Sequence, residues 1–494
     1  MKFQSTRSND KLKYSSAQVI KQGLADDGGL FVPEDIPEFT EEEIISFHSL
    51  SYPELAATVL SKFLTDYTYN ELLEDAQNAY SKNNFESDIC PLRKVNNNTY
   101  SLELWHGPTC AFKDMALQIM PRLLSRALVK TNEDKTALVL VATSGDTGKA
   151  ALEGYKNIDR IKITVFYPEN GVSAVQKLQM VTQDGNNVNV CAIKGNFDDI
   201  QTEVKNVFSN SNIANELSDQ GFFFSSANSI NFGRLAPQIV YYIKAYCDLL
   251  ENNEISFGEK INICVPTGNF GNILAAYIAK LMGLPINKLI CASNSNNILT
   301  DFLSTGRYDR NRDFYLTISP SMDILISSNL ERLLYMIAGP EKTKEWMLSL
   351  KNNGYYQVDS TTLSKIKENF AGYYADENKT STTIKSVFND FCYLIDTHTA
   401  VAFASLNDYR SESHDTVKTV VVSTASPYKF AKDVYSALTG SPAIDDLNAL
   451  DELSKTTNTN IPKPLNKLDE KTINFSSVKA PSAMLDEIMQ FIKE

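Results

Sequence analysis

The sequence predicts an α/β protein in which parallel sheets are covered by helices on both faces. Three observations carry this. Short apolar runs rich in Val and Ile recur along the chain, too short for most helices and too continuous for strands with one wet face. Each run ends in a loop of Gly, Ser, Thr, Asn or Asp, and each loop gives way to a stretch with helical periodicity. Strand–loop–helix units repeated in this order build parallel sheets, because the helix is the crossover between neighbouring strands.

In chain order, the first 90 residues stand apart as helix-rich, with apolar residues at helical spacing in EEEIISFHSL (41–50) and YPELAATVLSKFL (52–64). TALVLVA (136–142) then reads as a buried strand, followed by TSGDTG and the helical KAALEGYK. IKITVFY (161–167) leads to the helical VSAVQKLQMV, and VNVCAI (188–193) leads to DDIQTEVKNVF. INICVP (261–266) runs into TGNFGN and the helical ILAAYIAKLMG, and TVKTVVVS (416–423) runs into TASPYKF and another helix. Residues 300–390 alternate less clearly and read as an insertion. The polar run near 453–472 reads as a linker or extended surface segment. In folds of this class ligands sit in the loops at the C-terminal ends of the strands, which directs attention to 143–148, 267–272 and 423–429.

The bulk numbers narrow the function. A chain of 494 residues accommodates two or three domains. A net charge of −13, from 47 basic against 60 acidic residues, argues against a nucleic-acid or anionic-membrane partner. It leaves room for a small anionic substrate, which needs only a few well-placed donors. The first residues contain no continuous apolar stretch of the kind a secretory signal needs. No apolar run reaches the roughly 18 residues of a membrane span. Seven cysteines scattered without a CxxC pair read as free thiols in a reducing compartment, and four histidines make a histidine-rich metal centre improbable. The expectation is a cytoplasmic enzyme without a metal ligand set.

Two loops look built for anions. In TGNFGN (267–272) a strand delivers two glycines to the start of a helix, whose first amides and dipole form a cradle suited to a phosphate ester. The same pattern also serves as a tight turn without a ligand. TSGDTGK (143–149) resembles a nucleotide P-loop but fails at both ends, with Thr143 at the first glycine position and Ala150 at the required hydroxyl position. What remains is a second anion-binding loop, suited to a carboxylate, with Lys149 open to reading as a plain solvated helix residue. Arg234 sits where a polar loop becomes the helical LAPQIVYYIKAY. A cation there opposes the helix dipole, which leaves phosphate recognition, or a surface or interdomain salt bridge, as its role.

HGPTCAFKDMALQ (106–118) is the most specific segment. It resembles the cofactor-lysine motif of the threonine synthase family. STRSND (5–10), LADDGGLFVPE (24–34), NSINFGRLAPQ (228–238), GNFGN (268–272) and STASPYKF (423–430) are similar to that family in the same order, so the resemblance spans nearly the whole chain. It implies fold type II of the pyridoxal-phosphate enzymes, the class of the tryptophan synthase β chain. The implied organisation is an N-terminal helix-rich domain over 1–95, a large cofactor domain over 96–130 and 255–494 with the insertion at about 300–390, and a small α/β domain over 131–254.

The resemblance also implies roles. Lys113 would hold pyridoxal 5'-phosphate as a Schiff base and act as the catalytic base. Gly268, Asn269, Phe270, Gly271 and Asn272 would cradle the cofactor phosphate, and Thr424 would hydrogen-bond the pyridine nitrogen. Ser144, Gly145, Asp146 and Thr147 would bind the substrate carboxylate, and Lys149 or Arg234 its phosphate. The implied reaction converts O-phosphohomoserine and water to threonine and phosphate. The alternative is a phospho-lyase of the same fold giving 2-oxobutyrate, ammonia and phosphate. Two departures stand out: Ser426 replaces a histidine frequent in the family, and Cys110 stands where an apolar residue is common.

Overall fold

The computed structural model describes residues 1–8, 12–85, 88–143 and 145–493, apart from the side chains of Asp198 and Ser209. Eleven strands form its two main sheets: β1 (Leu92–Asn96), β2 (Thr99–Glu103), β3 (Thr136–Ala142), β4 (Ile161–Pro168), β5 (Val188–Ile193), β6 (Phe222–Ser225), β7 (Ile261–Pro266), β8 (Ile286–Ser293), β9 (Phe370–Tyr374), β10 (Thr419–Ser423) and β11 (Val478–Lys479). The larger sheet has the order β9-β8-β7-β10-β2-β1 and the smaller β11-β5-β4-β3-β6. Every pairing is parallel except β1 with β2, a hairpin.

Alternation explains why the strands read as continuous apolar runs. In β7, Ile263 and Val265 enter the large core, while Cys264 between them enters a second cluster with Ile290 and Val421. In β3, Val139 and Val141 face that same large core, while Leu138 and Leu140 join Phe166 and Ile488 on the opposite side. With both faces dry, no position along such a strand favours a polar residue. The helix Thr397–Ser413 packs across β7, β8, β9 and β10 and so covers one face of the larger sheet.

The N-terminal region is helical as expected, with helices at Ser16–Gln22, Glu41–Ser46, Tyr52–Phe63 and Tyr69–Ala79. The last three are opened by capping boxes, in which Thr or Ser and a Glu three residues on satisfy each other's free amides. Three expectations are corrected. The stretch 300–390 is more than an insertion, because β9 within it is the edge strand of the larger sheet. The run 453–472 is no free linker: the helix Asn448–Thr457 occupies its start, and Leu465 and Leu468 are buried. The segment 255–494 does not lie wholly with the larger sheet either. β11 pairs with β5, and the helix Met484–Phe491 seals the far face of the smaller sheet through Met484 and Ile488. Both C-terminal elements are too short to announce their sheet in the sequence.

Candidate active site

The loop that carries Lys113 is zipped to the loop after β10. The amide of Phe112 donates to the Thr424 carbonyl (2.8 Å), that of Ser426 donates to the Cys110 carbonyl (3.0 Å), and Ala111 bridges Ala425. Cys110 adopts a left-handed conformation, φ 58°, so this departure from the family pattern sits at the turn of the zipper. Ser426 caps the short helical turn that follows, accepting from the Tyr428 amide at 3.3 Å. Lys113 is held at the C-terminal edge of β10, and Thr424 lies beside it, 6% exposed with no hydrogen bond from its hydroxyl to another described residue.

Lys113 is buried, its Nζ 3.3 Å from Asp146 Oδ2 and 3.2 Å from Ser321 Oγ. Burial pushes its ammonium pKa down, Asp146 opposes that, and the nearby Lys429 adds to it. Asp146 receives more than Lys113: Lys429 at 2.8 Å, the Gln176 amide at 3.0 Å and the Ser321 hydroxyl at 3.1 Å. Burial would raise the Asp146 pKa, but Lys429 and Lys113 outweigh it and hold the carboxyl well below its ordinary range. Asp146 is therefore the shared counter-ion of two buried lysines. The ionised Asp146 side chain in that role cannot bind a substrate carboxylate, so only its backbone amide at the helix start is left for that group.

At the second loop, Phe270 is left-handed (φ 64°) and the helix Gly271–Leu281 begins directly after it. None of the backbone amides of residues 268–273 donates to another described residue. Six unpaired amides at a helix start make a donor-rich cradle for an anion. Gly268 lines it closely, since a Cβ there would lie 2.7 Å from the Ser321 carbonyl oxygen. Ser321 thus joins the cradle to Lys113. Asn272 anchors the helix start by accepting from the hydroxyls of Tyr241 (2.5 Å) and Tyr242 (2.6 Å), while its Nδ2 is buried without a partner.

Of the substrate residues read from the sequence, Ser144 lies outside the described residues. The amides of Gly145 and Gly148 are both taken by the Thr143 hydroxyl, at 3.0 and 2.9 Å. Thr147 follows on the same helix start. Lys149 pairs with Glu153 at 2.9 Å, one helical turn away, which answers its charge without a ligand. Arg234 is buried with no carboxylate partner among the described residues. Nη1 donates to the Ala227 carbonyl at 2.6 Å, Nε has no partner, and burial pushes its pKa down to about 10. Among the described residues no salt bridge accounts for it.

Sequence reasoning missed Lys429, Ser321, Asp396 and His398. Lys429 stands in the STASPYKF segment, but its role depends on a partner 283 positions earlier in the chain, Asp146. Asp396 caps the helix Thr397–Ser413 and accepts from His398 Nδ1 at 2.7 Å, while His398 Nε2 accepts from the Ser321 amide at 3.1 Å. The Asp-x-His spacing of a capped helix was the available signal.

A buried lysine with a weakened ammonium, a phosphate cradle of free amides and a free hydroxyl on a neighbouring strand end fit pyridoxal phosphate, and together they define the class. Residues 91–425 match the family model described as pyridoxal-phosphate dependent enzyme, residues 2–80 the threonine synthase N terminus, and residues 399–492 the threonine synthase C-terminal family. The threonine synthase of Pseudomonas aeruginosa is 40% identical over 438 residues, covering 86% of this chain and 88% of that one. The threonine synthase of Saccharomyces cerevisiae is 35% identical over 466 residues, covering 89% of each chain. Threonine synthase-like 1 of Homo sapiens is 40% identical over 438 residues; the match takes in 86% of this chain, which spans only 58% of that protein's length. The crystal structure of pyridoxal-phosphate-bound threonine synthase from Brucella melitensis superposes with a TM-score of 0.89 at 35% identity, covering both chains completely. The chain belongs to the threonine synthase family of pyridoxal-phosphate dependent enzymes.

Proposed function

We propose that the protein is a threonine synthase, converting O-phospho-L-homoserine and water to L-threonine and phosphate with pyridoxal phosphate as cofactor. The observation that carries this is Lys113, buried between the amide cradle and the Asp146–Lys429 pair. The full-length likeness to threonine synthases supports the choice of reaction.

When bound, pyridoxal phosphate supplies an electron sink for the carbanions of the reaction. The chain does the rest. Amides 268–273 hold the cofactor phosphate, and the Thr424 hydroxyl serves the pyridine nitrogen as a neutral partner. Lys113 takes and returns the proton at the substrate α-carbon, since burial disfavours its charged form. Asp146 and Lys429 keep the charge around that amine balanced. The Thr147 end of the 144–148 loop receives the substrate carboxylate. Arg234, with a planar fork of donors and an unused Nε, is the partner for the substrate phosphate. Lys149, already paired, is the weaker candidate.

We also read the chain as the N-terminal helix-rich unit 1–95, the large unit 96–130 and 255–494, and the small unit 131–254, with β11 and the last helix moved to the small unit. A chain whose buried cysteines include Cys90, Cys191, Cys247, Cys264 and Cys291 as free thiols supports a cytoplasmic location.

The test is product analysis with O-phosphohomoserine in oxygen-18 water, after borohydride has confirmed a pyridoxyl group on Lys113. Label on the threonine β-hydroxyl is the expected result. Release of 2-oxobutyrate and ammonia from the first turnovers would make the protein a phospho-lyase instead. Arg234→Ala should cost about one to two decades in kcat/KM, with pyridoxyl trapping on Lys113 unchanged.

A further inference from the structure

Residues 5–8 of STRSND and the segment LADDGGLFVPE contribute no atom to the chemistry above, yet they converge on one place. Glu331, buried, accepts from Arg7 through both oxygens (Nε to Oε1 2.8 Å, Nη2 to Oε2 2.7 Å) and from the Thr6 hydroxyl at 2.6 Å. Thr6 in turn accepts from the Leu30 amide at 2.8 Å. The paired glycines make room for this packing: a Cβ on Gly29 would lie 2.2 Å from Ser5 Oγ, and Gly28 has φ 78° with Arg7 Nη1 beside it. Arg332, the next residue, is fully buried with no carboxylate partner among the described residues. Its Nε donates to the Phe31 carbonyl at 2.9 Å, Nη2 to the Ile230 carbonyl at 2.5 Å, and Nη1 to Asn329 Oδ1.

Asn329 completes the path to the cradle. Its backbone amide and its Nδ2 both donate to the Asn269 carbonyl, at 3.0 and 3.1 Å, and Ser327 Oγ donates to the Gly268 carbonyl at 2.7 Å. The carbonyls of two cradle residues are thereby occupied from one side. A peptide unit whose oxygen is fixed has its N–H neighbours fixed too, because each peptide is planar. Donors that are aimed before an anion arrives bind it more tightly than donors that must be ordered on binding.

We propose that Asn329, Glu331 and Arg332 form a positioning hub through which the N-terminal segment holds the 268–273 loop with its amides aimed at the cofactor phosphate. The inference rests on the reading of that loop as the phosphate site. It gives the N-terminal motifs a function, namely tuning cofactor affinity from outside the active site. None of the hub residues touches Lys113, so the hub acts on the phosphate end of the cofactor alone.

The experiment compares pyridoxal phosphate with pyridoxal, which lacks the phosphate, in binding titrations of the cofactor-stripped full chain. The ratio of the two Kd values measures the cradle and is insensitive to a general loss of stability. The wild type should favour the phosphorylated form strongly. Asn329→Ala should shrink that ratio about tenfold, since it removes the Nδ2 donor to the Asn269 carbonyl and the Oδ1 acceptor of Arg332 Nη1. Glu331→Gln and Arg7→Ala should shrink it less, and Arg7→Ala, part-exposed, remains informative if the buried variants fail to fold. Lys62→Ala, which removes an ion pair elsewhere in the N-terminal region, should leave it unchanged. Equal wild-type affinity for the two ligands would overturn the phosphate-site reading itself. Strong wild-type discrimination kept intact in Asn329→Ala and Arg7→Ala would overturn the hub alone.

Discussion

The loops after β3 and β7 are nearly the same in sequence terms and opposite in what they offer. Each leaves a buried strand through a threonine and opens a helix, with one glycine in the loop and a second in the first helical turn. After β7, the Thr267 hydroxyl turns back and donates to the Val265 carbonyl at 2.7 Å, and the loop amides stay free. After β3, the Thr143 hydroxyl turns into the loop and accepts from Gly145 and Gly148, and Asp146 opens the helix with a carboxylate. One turn leaves its amides open to an anion, the role proposed for it above. The other already contains its anion, placed at the helix N-terminus where the dipole stabilises it, and uses it to hold two lysines. A glycine-rich strand–helix turn therefore does not have a fixed sign; the orientation of one hydroxyl and the first helical side chain set it.

Four substitutions test this contrast. Asp146→Asn should have the largest effect, because it leaves the ammoniums of Lys113 and Lys429 facing each other without a counter-charge. Breaking a buried pair of this kind costs about 3–5 kcal/mol. Because the Asp146 pKa is held below its ordinary value, its contribution is complete above the unfolded carboxylate value of about 3.9 and is lost as pH falls through the lower folded value. The gap in Tm between wild type and variant should be full at pH 7 and should close only below about pH 4. A gap that does not vary with pH would mean that Asp146 acts through packing and not through charge.

Gly268→Ala comes next. It drives a Cβ against the Ser321 carbonyl, and overpacking of a tight site costs about 1–3 kcal/mol, or about ten- to a hundredfold in cofactor affinity. Gly271→Ala, whose Cβ would meet Asn329 Nδ2 at 3.4 Å, should be milder, and the reverse order in equilibrium titrations would relocate the cradle. The smallest effect belongs to Lys149→Ala. Loss of a pair at i,i+4 shifts stability by about 0.3–0.5 kcal/mol, and KM for O-phosphohomoserine should stay within about twofold. A rise of tenfold or more would return Lys149 to the substrate phosphate.

By itself the sequence determined the strand–loop–helix order, three strands of the smaller sheet (β3, β4 and β5) nearly to the residue, and the glycine-bearing strand–helix turn at 267–272. These are legible because each depends on a few adjacent residues: an apolar run too short to be anything but a buried strand, or a glycine pair ahead of a helix. Only the tertiary structure decided which amides are left unpaired, that Asp146 is a counter-ion, that Lys429, Ser321 and His398 border the site, and that Glu331 and Arg332 receive the N-terminal motifs. Those facts join residues up to 325 positions apart. The physical reason is that a hydrogen-bonding group declares its role only through its partner, and the fold, not the neighbouring sequence, supplies the partner.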